Sequence, residues 1–191
     1  MPPSETAPDV VESARWIARV LEANGMPYAI GGALALAQHG FVRATKDVDV
    51  NVFVPAEQIQ SLLGTLERAG LSIERDAGKK ALDEGWFSAW QGSVRIDLFV
   101  PSIDFSWEAL KSRQRLPLLG EQFWFLAPEA LCVFKLLFFR TKDLADLERL
   151  VQSPSPLDRA AVRSAIAGMM GEDDERVRAW DDIVRRFGRT D

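Results

Sequence analysis

The chain is poor in cysteine and histidine and lacks long apolar runs. Its 191 residues include one cysteine and one histidine. One cysteine excludes a disulfide within the chain, which fits a reducing cytoplasm. No apolar run approaches the roughly 20 residues that span a bilayer. The first residues, MPPSETAPDVVESARW, have neither the basic flank nor the apolar centre of a signal peptide. We therefore expect a cytoplasmic protein that does not enter a membrane.

Excess positive charge is also absent. The 23 lysines and arginines are outnumbered by 28 aspartates and glutamates, which gives a formal net charge of -5. This balance disfavours a protein that coats nucleic acid through bulk charge, although a local basic patch stays open. With 47% hydrophobic residues, the chain has the composition of a globular protein that buries a core without disulfides.

The periodicity of apolar residues predicts an α/β (α+β) fold, in which a mixed sheet comes early and helices come late. We expect a disordered tail at 1–8, an α/β core over 9–127, and a helical region over 128–191 that forms one compact unit with the core. Strands are predicted at 28–32, 47–55, 71–75, 85–91, 94–101 and 121–127, separated by turns in the middle of the chain. Helices are predicted at 9–25, 33–40, 56–70, 105–113, 129–152, 157–171 and 173–188.

Two carboxylates stand in the most strand-like segment, DVDVNV at 47–52. Because side chains alternate along a strand, Asp47 and Asp49 share one face with Asn51, and the valines share the other. Two carboxylates roughly 6.5 Å apart repel each other, and burying either one unpaired is costly. A divalent cation between them would remove the repulsion, and oxygen ligands of this kind suit Mg²⁺ or Mn²⁺.

A third acid, Asp97, occupies the centre of another apolar strand, VRIDLFV. If this strand neighbours the first, three carboxylates converge. Such a group can hold two metal ions about 3.5–4 Å apart and clamp the attacking and leaving oxygens of a phosphoryl or nucleotidyl transfer. The alternative is that the aspartates are solvated on an open face of the sheet.

A glycine pair, Gly31 and Gly32, separates a predicted strand from a predicted helix. Backbone amides at such a turn can cradle a phosphate, assisted by the positive end of the helix. A tight turn without a ligand is the alternative. The combination of this turn with three strand carboxylates carries more weight than either feature alone.

This combination of motifs resembles the polymerase-beta-like nucleotidyltransferase superfamily over about residues 26–150. More narrowly, the chain looks like the group of AbiEii-type toxins and related small nucleotidyltransferases. That group carries an Arg-x-Ser/Thr-x-Asp-x-Asp string, which is matched here by Arg43, Thr45, Asp47 and Asp49. The segment VFKLLFFRTKDLADL matches its lysine-bearing helix more loosely.

The resemblance implies a reaction in which a nucleoside monophosphate moves from an NTP to an acceptor hydroxyl. Asp47 and Asp49 would bind both metal ions, which would be Mg²⁺ or Mn²⁺. Asp97 would bind the ion nearer the attacking group and help to deprotonate that group.

The resemblance also implies a nucleotide site. Gly31 and Gly32 would hold the triphosphate, and Arg43 and Lys135 would contact phosphates. Thr45 would hydrogen-bond near the triphosphate or brace the aspartate strand.

Several of these side chains have plainer interpretations. Arg43 can pair with the strand aspartates, and Lys135 can snorkel from an amphipathic helix. Asp143 and Asp146 are interpreted as a solvated helix face. His39 is expected to cap a helix.

Four tryptophans are expected to pack in the core or at its rim, with a base-stacking platform as the alternative. They are Trp86, Trp90, Trp107 and Trp124.

The sequence favours a metal-dependent nucleotidyltransferase whose acceptor is an RNA, a protein or a small molecule, with a toxin-like role open. A non-catalytic nucleotide-binding or regulatory module of a toxin-antitoxin pair, with an antitoxin partner, is the alternative. A DxD-type glycosyltransferase leaves the glycine pair and the third acid unexplained.

Overall fold

The structure, a computed structural model, describes residues 9–188. The predicted tail at 1–8 lies outside this range. The helices are α1 Val10–Ala23, α2 Gly32–Gln38, α3 Ile59–Arg68, α4 Ala77–Asp83, α5 Phe105–Ser112, α6 Pro128–Phe138, α7 Thr141–Gln152, α8 Arg159–Met170 and α9 Glu175–Phe187. The strands are β1 Tyr28–Ile30, β2 Asp47–Val52, β3 Ser72–Ile73, β4 Trp86–Gln91, β5 Val94–Phe99, β6 Gln114–Leu118 and β7 Glu121–Phe125. A short 3-10 turn, Ala56–Gln58, precedes α3.

The strands form one mixed sheet in the order β3-β4-β5-β2-β1-β7-β6. β2 runs parallel to β5 and antiparallel to β1, and β1 runs parallel to β7. The predicted fold class is therefore confirmed, with a mixed sheet flanked by helices. The central position of β2 places its polar face in the middle of the sheet.

A single hydrophobic core fixes the alternation of β2 and β5. Val48, Val50, Ile96 and Leu98 are fully buried. The core continues through α6 to α9 and so crosses the boundary predicted at 127 and 128. The division into core and helical region stays a prediction.

The first helix, predicted at 9–25, spans Val10–Ala23. The Asp9 carboxylate accepts a hydrogen bond of 2.7 Å from the Glu12 amide, which satisfies one of the free donors of the helix start. Ile17 and Leu21 bury the apolar stripe. Gly25 follows the last turn with a φ of +63°.

Two elements were not predicted. Helix α4 occupies a segment interpreted as a turn, where Ala77 and Ala81 are the buried side chains. Two small residues give too weak an apolar stripe to reveal a helix. Strand β6 contains Pro117, a residue that argues against a strand, but β6 lies at the edge of the sheet, where proline is tolerated.

The predicted helix at 129–152 is two helices. Phe139 adopts a left-handed conformation, with φ of +53°, and ends α6. Arg140 precedes α7, where its amide and Nε donate to Asp143 Oδ2 at 3.3 Å and 2.6 Å. The break lets α7 fold back against α6 and turn its acidic side toward that helix.

The two scarce residues are buried. His39 ends α2 as expected, and its Nε2 lies 3.0 Å from the Leu126 carbonyl oxygen. Burial lowers the pKa of His39 and raises the pKa of the Cys132 thiol. Both side chains therefore belong to the packing of the core.

Within residues 9–188, no helix combines the length and apolar character needed to cross a membrane.

Candidate functional site

The strand register brings the three predicted carboxylates together. Parallel pairing of β2 with β5 sets Asp49 beside Asp97 and Asp47 beside Arg95. Antiparallel pairing of β5 with β4 sets Ser88 beside Asp97. The acids thus occupy two adjacent rows on one face of the sheet. Their role as metal ligands stays a prediction.

Arg95 holds two of these acids together. Its Nη2 lies 2.9 Å from Asp47 Oδ2 and 2.9 Å from Asp97 Oδ2. One guanidinium nitrogen therefore supplies positive charge where the two carboxylates face each other. Among residues 9–188, no group of three or more His, Cys, Asp or Glu side chains is arranged to hold a metal ion.

Asp47 is braced from a second side. Thr45 Oγ1 donates to Asp47 Oδ1 at 2.6 Å. Burial alone would raise the pKa of Asp47, but the Thr45 hydrogen bond and the Arg95 charge together lower it below its usual value. Thr45 therefore holds the strand aspartate, and its part in a nucleotide site stays a prediction.

The surroundings of Asp49 raise the pKa of its carboxyl group. Burial, followed by the charges of Asp47 and Asp97, raises its pKa to about 6, although Lys135 and Lys142 oppose the shift. An added positive charge beside Asp49 would favour the ionised carboxylate.

Asp97 is oriented by a residue that the sequence did not single out. The side chain is buried, and Ser88 Oγ donates to its Oδ1 at 2.7 Å. Oδ2 faces Arg95. The signal for Ser88 was a lone hydroxyl in an otherwise apolar strand, WFSAW.

The two glycines have different tasks. The Gly31 amide donates to the Asp49 carbonyl oxygen at 2.8 Å, so it serves the pairing of the sheet. Gly32 has a φ of +52°, and a Cβ there would lie 1.7 Å from Asp49 Oδ2. Glycine is therefore required for the chain to pass the carboxylate. In this geometry Gly32 is the member of the pair whose amide stays available for the predicted triphosphate contact.

A buried ion network joins α6 to α7. Lys135 Nζ lies 2.6 Å from Asp146 Oδ2 and 3.6 Å from Asp143 Oδ1. Arg43 Nη2 approaches the same Asp146 oxygen at 3.3 Å. Both aspartates and Lys135 are buried.

This network corrects three sequence-based interpretations. Asp143 and Asp146 are not a solvated face, and Lys135 does not snorkel, because each is paired in the interior. Arg43 pairs with Asp146 rather than with the strand aspartates. The spacing of these acids along α7 does not reveal burial, since it depends on how α7 folds back. Phosphate contacts by Arg43 and Lys135 stay predictions.

A cleft of about 520 Å³ opens over the polar face of the sheet. It contains Gly32, all three strand acids, Arg43 and Lys135. Arg140 and Lys142, both exposed at the start of α7, add positive charge. A volume of this size is typical of small-molecule sites.

The tryptophans divide between two environments. Trp107 and Trp124 pack against the core, as predicted. Trp86 lines the cleft and stacks on Phe99.

The donor set fits a hard divalent cation. Three carboxylates provide the oxygen ligands that Mg²⁺ and Mn²⁺ prefer. The position of Arg95 shows that positive charge fits between Asp47 and Asp97. The pKa of Asp49 is raised by burial first and by the charges of Asp47 and Asp97 second.

Three solved structures share the fold at low identity. The antibiotic-resistance factor ANT(2″)-Ia is 17% identical with a TM-score of 0.55, over 92% of this chain and 91% of that chain. An antigenic nucleotidyltransferase-like protein from Paracoccidioides brasiliensis is 16% identical with a TM-score of 0.54, over 93% and 88%. The lincosamide antibiotic adenylyltransferase LnuA is 15% identical with a TM-score of 0.51, over 75% and 98%.

The family follows from the sequence. Residues 10–179 match the model described as nucleotidyl transferase of unknown function (DUF2204), and the chain belongs to this family. No curated protein matches the chain. The family match supports the predicted class of nucleotidyltransferases. The polymerase-beta-like and the narrower AbiEii-type likenesses stay predictions.

We expect Asp49→Asn to stabilise the metal-free protein near neutral pH. The folded pKa, about 6, lies above the unfolded value of 3.8, so ionisation weakens the fold. This loss is absent below the unfolded pKa and complete above pH 6. Since Asp49 keeps some solvent contact, the gain in the free energy of unfolding is about 1–2 kcal/mol at pH 7.5 and near zero at pH 4.

Urea unfolding in EDTA at both pH values measures this difference. The exposed carboxylate of Glu57, replaced by glutamine, is the control and should change little at either pH. If the Asp49→Asn variant is less stable than wild type at pH 7.5, the raised pKa of Asp49 in the folded protein is contradicted.

We expect Gly32→Ala to lower the free energy of unfolding by about 1–3 kcal/mol. The added methyl meets Asp49 Oδ2 at a backbone conformation that alanine disfavours. Gly168→Ala is the matched control, because a Cβ at that position in α8 has open space around it and should stabilise by about 0.4–1 kcal/mol. Thermal unfolding of both variants tests the contrast, and equal effects would refute the close approach.

Proposed function

We propose that this protein is a metal-dependent nucleotidyltransferase that moves a nucleoside monophosphate from an NTP to the hydroxyl of an acceptor. The observation that carries the proposal is the register of β2 on β5, which sets Asp49 beside Asp97 with Asp47 on the same face and Gly32 alongside. Such a group has the composition of a two-metal site.

The carboxylates have distinct roles in this proposal. Asp47 and Asp49 would hold both metal ions, and Asp97 would hold the ion nearer the acceptor. The bound ions supply charge neutralisation for the attacking and leaving oxygens. Ser88 occupies Oδ1 of Asp97, so Oδ2 is the oxygen that meets the acceptor side once Arg95 moves aside.

The reaction forms a bond between the acceptor oxygen and the α-phosphorus and breaks the bond from that phosphorus to pyrophosphate. The acceptor hydroxyl gives its proton to Asp97 as the new bond forms. Alignment of the two oxygens on opposite sides of the phosphorus provides much of the rate enhancement.

We assign the phosphate contacts to a backbone amide and a cation that face the cleft. Gly32 offers a backbone amide beside the acids. Lys142 is exposed in the cleft, and its charge acts on both Asp47 and Asp49. Arg43 and Lys135 already bond to Asp146, and their proposed contacts with phosphates would be shared with that pairing.

The narrower features of the proposal rest on the sequence string of Arg43, Thr45, Asp47 and Asp49. They are the AbiEii-type likeness and a toxin-like role with an antitoxin partner. A cytoplasmic location is proposed on a different ground, the single cysteine of the chain. The solved relatives bear on the acceptor: ANT(2″)-Ia has been determined with adenylyl-2″-tobramycin, and LnuA with lincomycin. These relatives favour a small-molecule acceptor over an RNA or a protein.

We expect NTP binding that depends on Mg²⁺ and on the strand acids. Calorimetric titration of each of the four NTPs should give binding with Mg²⁺ that EDTA abolishes. Asp47→Ala and Asp97→Asn should each weaken it at least tenfold, about 1.4 kcal/mol. Glu57→Gln, with its exposed side chain away from the cleft, should bind like wild type.

Binding that survives EDTA and both substitutions would exclude the proposed site. Metal-dependent binding of an NTP without transfer to any tested acceptor would support the non-catalytic nucleotide-binding module instead.

We expect Arg95→Ala to bind Mn²⁺ more tightly than wild type when no nucleotide is present. In wild type a metal ion must displace the guanidinium from Asp47 and Asp97, whereas the variant leaves both carboxylates free. A gain of about tenfold corresponds to roughly 1.4 kcal/mol. Electron paramagnetic resonance of free Mn²⁺ measures it directly.

Arg185→Ala removes an exposed arginine from α9 and serves as the control for net charge. Weaker Mn²⁺ binding in Arg95→Ala would mean that the guanidinium supports the site instead of competing for it.

A further inference from the structure

An aromatic row lies next to the acids on the same face of the sheet. Strand register sets Asn51, Phe99 and Trp86 side by side across β2, β5 and β4. Trp86 and Phe99 stack with centroids 6.4 Å apart and planes at 27°. Phe138, at the end of α6, meets Phe99 edge-on at 5.7 Å. We call Trp86, Phe99 and Phe138 the aromatic shelf.

The aromatic shelf faces the cleft and is partly covered by cations. Arg140 Cζ lies 4.7 Å from the centroid of the Phe138 ring, and Lys80 Nζ lies 5.6 Å from that of Trp86. Phe138 is 46% exposed, and neighbouring Ile103 is 38% exposed, and both line the cleft with Trp86 and Phe99. Large apolar side chains left exposed in a concave site mark a surface that binds an apolar group. The left-handed turn at Phe139 ends α6 and keeps Phe138 at this edge.

The position of the aromatic shelf assigns it to one side of the reaction. Gly32 follows β1, on one side of β2, whereas the shelf lies over β5 and β4, on the other. If the triphosphate occupies the glycine side, the acceptor approaches from the side of Asp97. Phe99 lies two residues beyond Asp97 on the same face, roughly 6.5 Å along the strand.

The charges around the cleft restrict the acceptor further. Five carboxylates and five cations line it, so the formal charges of its lining cancel. Once the three strand acids and the paired Asp143 are set aside, Glu84 is the remaining carboxylate among the described lining residues. A polycationic acceptor would need several such acids, since charge complementarity governs recognition of charged ligands.

Within the described part of the chain, the cleft also lacks the row of available cations that an extended nucleic acid requires. Of the lining cations, Arg43, Lys135 and Arg140 already pair with Asp143 or Asp146. A nucleic-acid track needs a row of available lysines and arginines along the backbone path.

We propose that the aromatic shelf binds an aromatic or otherwise apolar ring of a small, weakly charged acceptor whose hydroxyl receives the nucleotide. The ring packs on Phe99 and Phe138, and the hydroxyl reaches Asp97. This inference rests on the proposed nucleotidyltransferase function, because that function makes the side of the cleft with the aromatic shelf the acceptor side.

A matched pair of probes tests the inference: 4-nitrophenyl β-D-glucopyranoside, and methyl β-D-glucopyranoside without the ring. Saturation-transfer NMR titrations with Mg²⁺ and inorganic tripolyphosphate present should show the nitrophenyl compound binding at least tenfold more tightly. Phe138→Ala should reduce this preference at least fivefold. Leu82→Ala, which removes an exposed side chain from α4 outside the cleft, should preserve it.

Phe138→Leu keeps most of the volume and loses the ring, so it provides a second variant if alanine disturbs the end of α6. Equal binding of the two glucosides, an undiminished preference in both Phe138 variants, or tighter binding of polycationic tobramycin would each overturn the inference.

The nucleobase is the competing source of a flat ring, and the same variants distinguish it. If the aromatic shelf holds the acceptor, Phe138→Leu leaves the affinities of NTPs and tripolyphosphate unchanged. If NTP binding weakens at least fivefold while tripolyphosphate binding does not, the shelf holds the base and the acceptor assignment is wrong. Tripolyphosphate binding that ignores Mg²⁺ and Asp47→Ala would instead refute the nucleotidyltransferase proposal itself.

Discussion

Repulsion among carboxylates that share one face of a sheet is the constraint on which this site depends. Parallel pairing of β2 with β5 forces Asp49 beside Asp97, and alternation forces Asp47 onto the same face. Arg95 neutralises part of this charge between Asp47 and Asp97, but the pKa of Asp49 stays raised. The fold thereby gives up some stability to keep a concentration of negative charge that a cation can relieve.

In a second cluster, the positive and negative side chains compensate one another. Lys135, Asp143, Asp146 and Arg43 are paired among themselves at the junction of α6 and α7, so their charges are compensated inside the protein. Buried ion pairs add little net stability, but separating the partners is expensive, and this makes the arrangement of the two helices specific. The network thus shapes one wall of the cleft, while Lys142 keeps its charge in solvent at the rim.

The cleft joins two chemically different halves across a single strand. On the β1 side, Gly32 brings bare backbone against Asp49, which suits a phosphate chain and its counterions. On the β5 and β4 side, the aromatic shelf offers a surface that gains from excluding water. The acids stand between these halves, where the proposed transfer between two bound molecules would occur.

The sequence by itself determined which faces the critical residues occupy. Strict alternation in DVDVNV and VRIDLF separates the acids from the buried valines, and the glycine pair marks a close passage of the chain. The cap at Asp9 and the stops at glycines are equally local, so most helices were predictable. Helix α4 and strand β6 were missed because two buried alanines and a proline give weak or contrary local signals.

Tertiary structure alone decided which of those faces meet. The register of β2 on β5, the bridge from Arg95 to two acids and the hydrogen bond from Ser88 join residues far apart in the chain. The same is true of Asp143 and Asp146, whose burial follows from the reversal at Phe139 and not from their spacing. Periodicity reports the side of an element on which a residue lies, whereas the partner on that side is set by long-range pairing and packing.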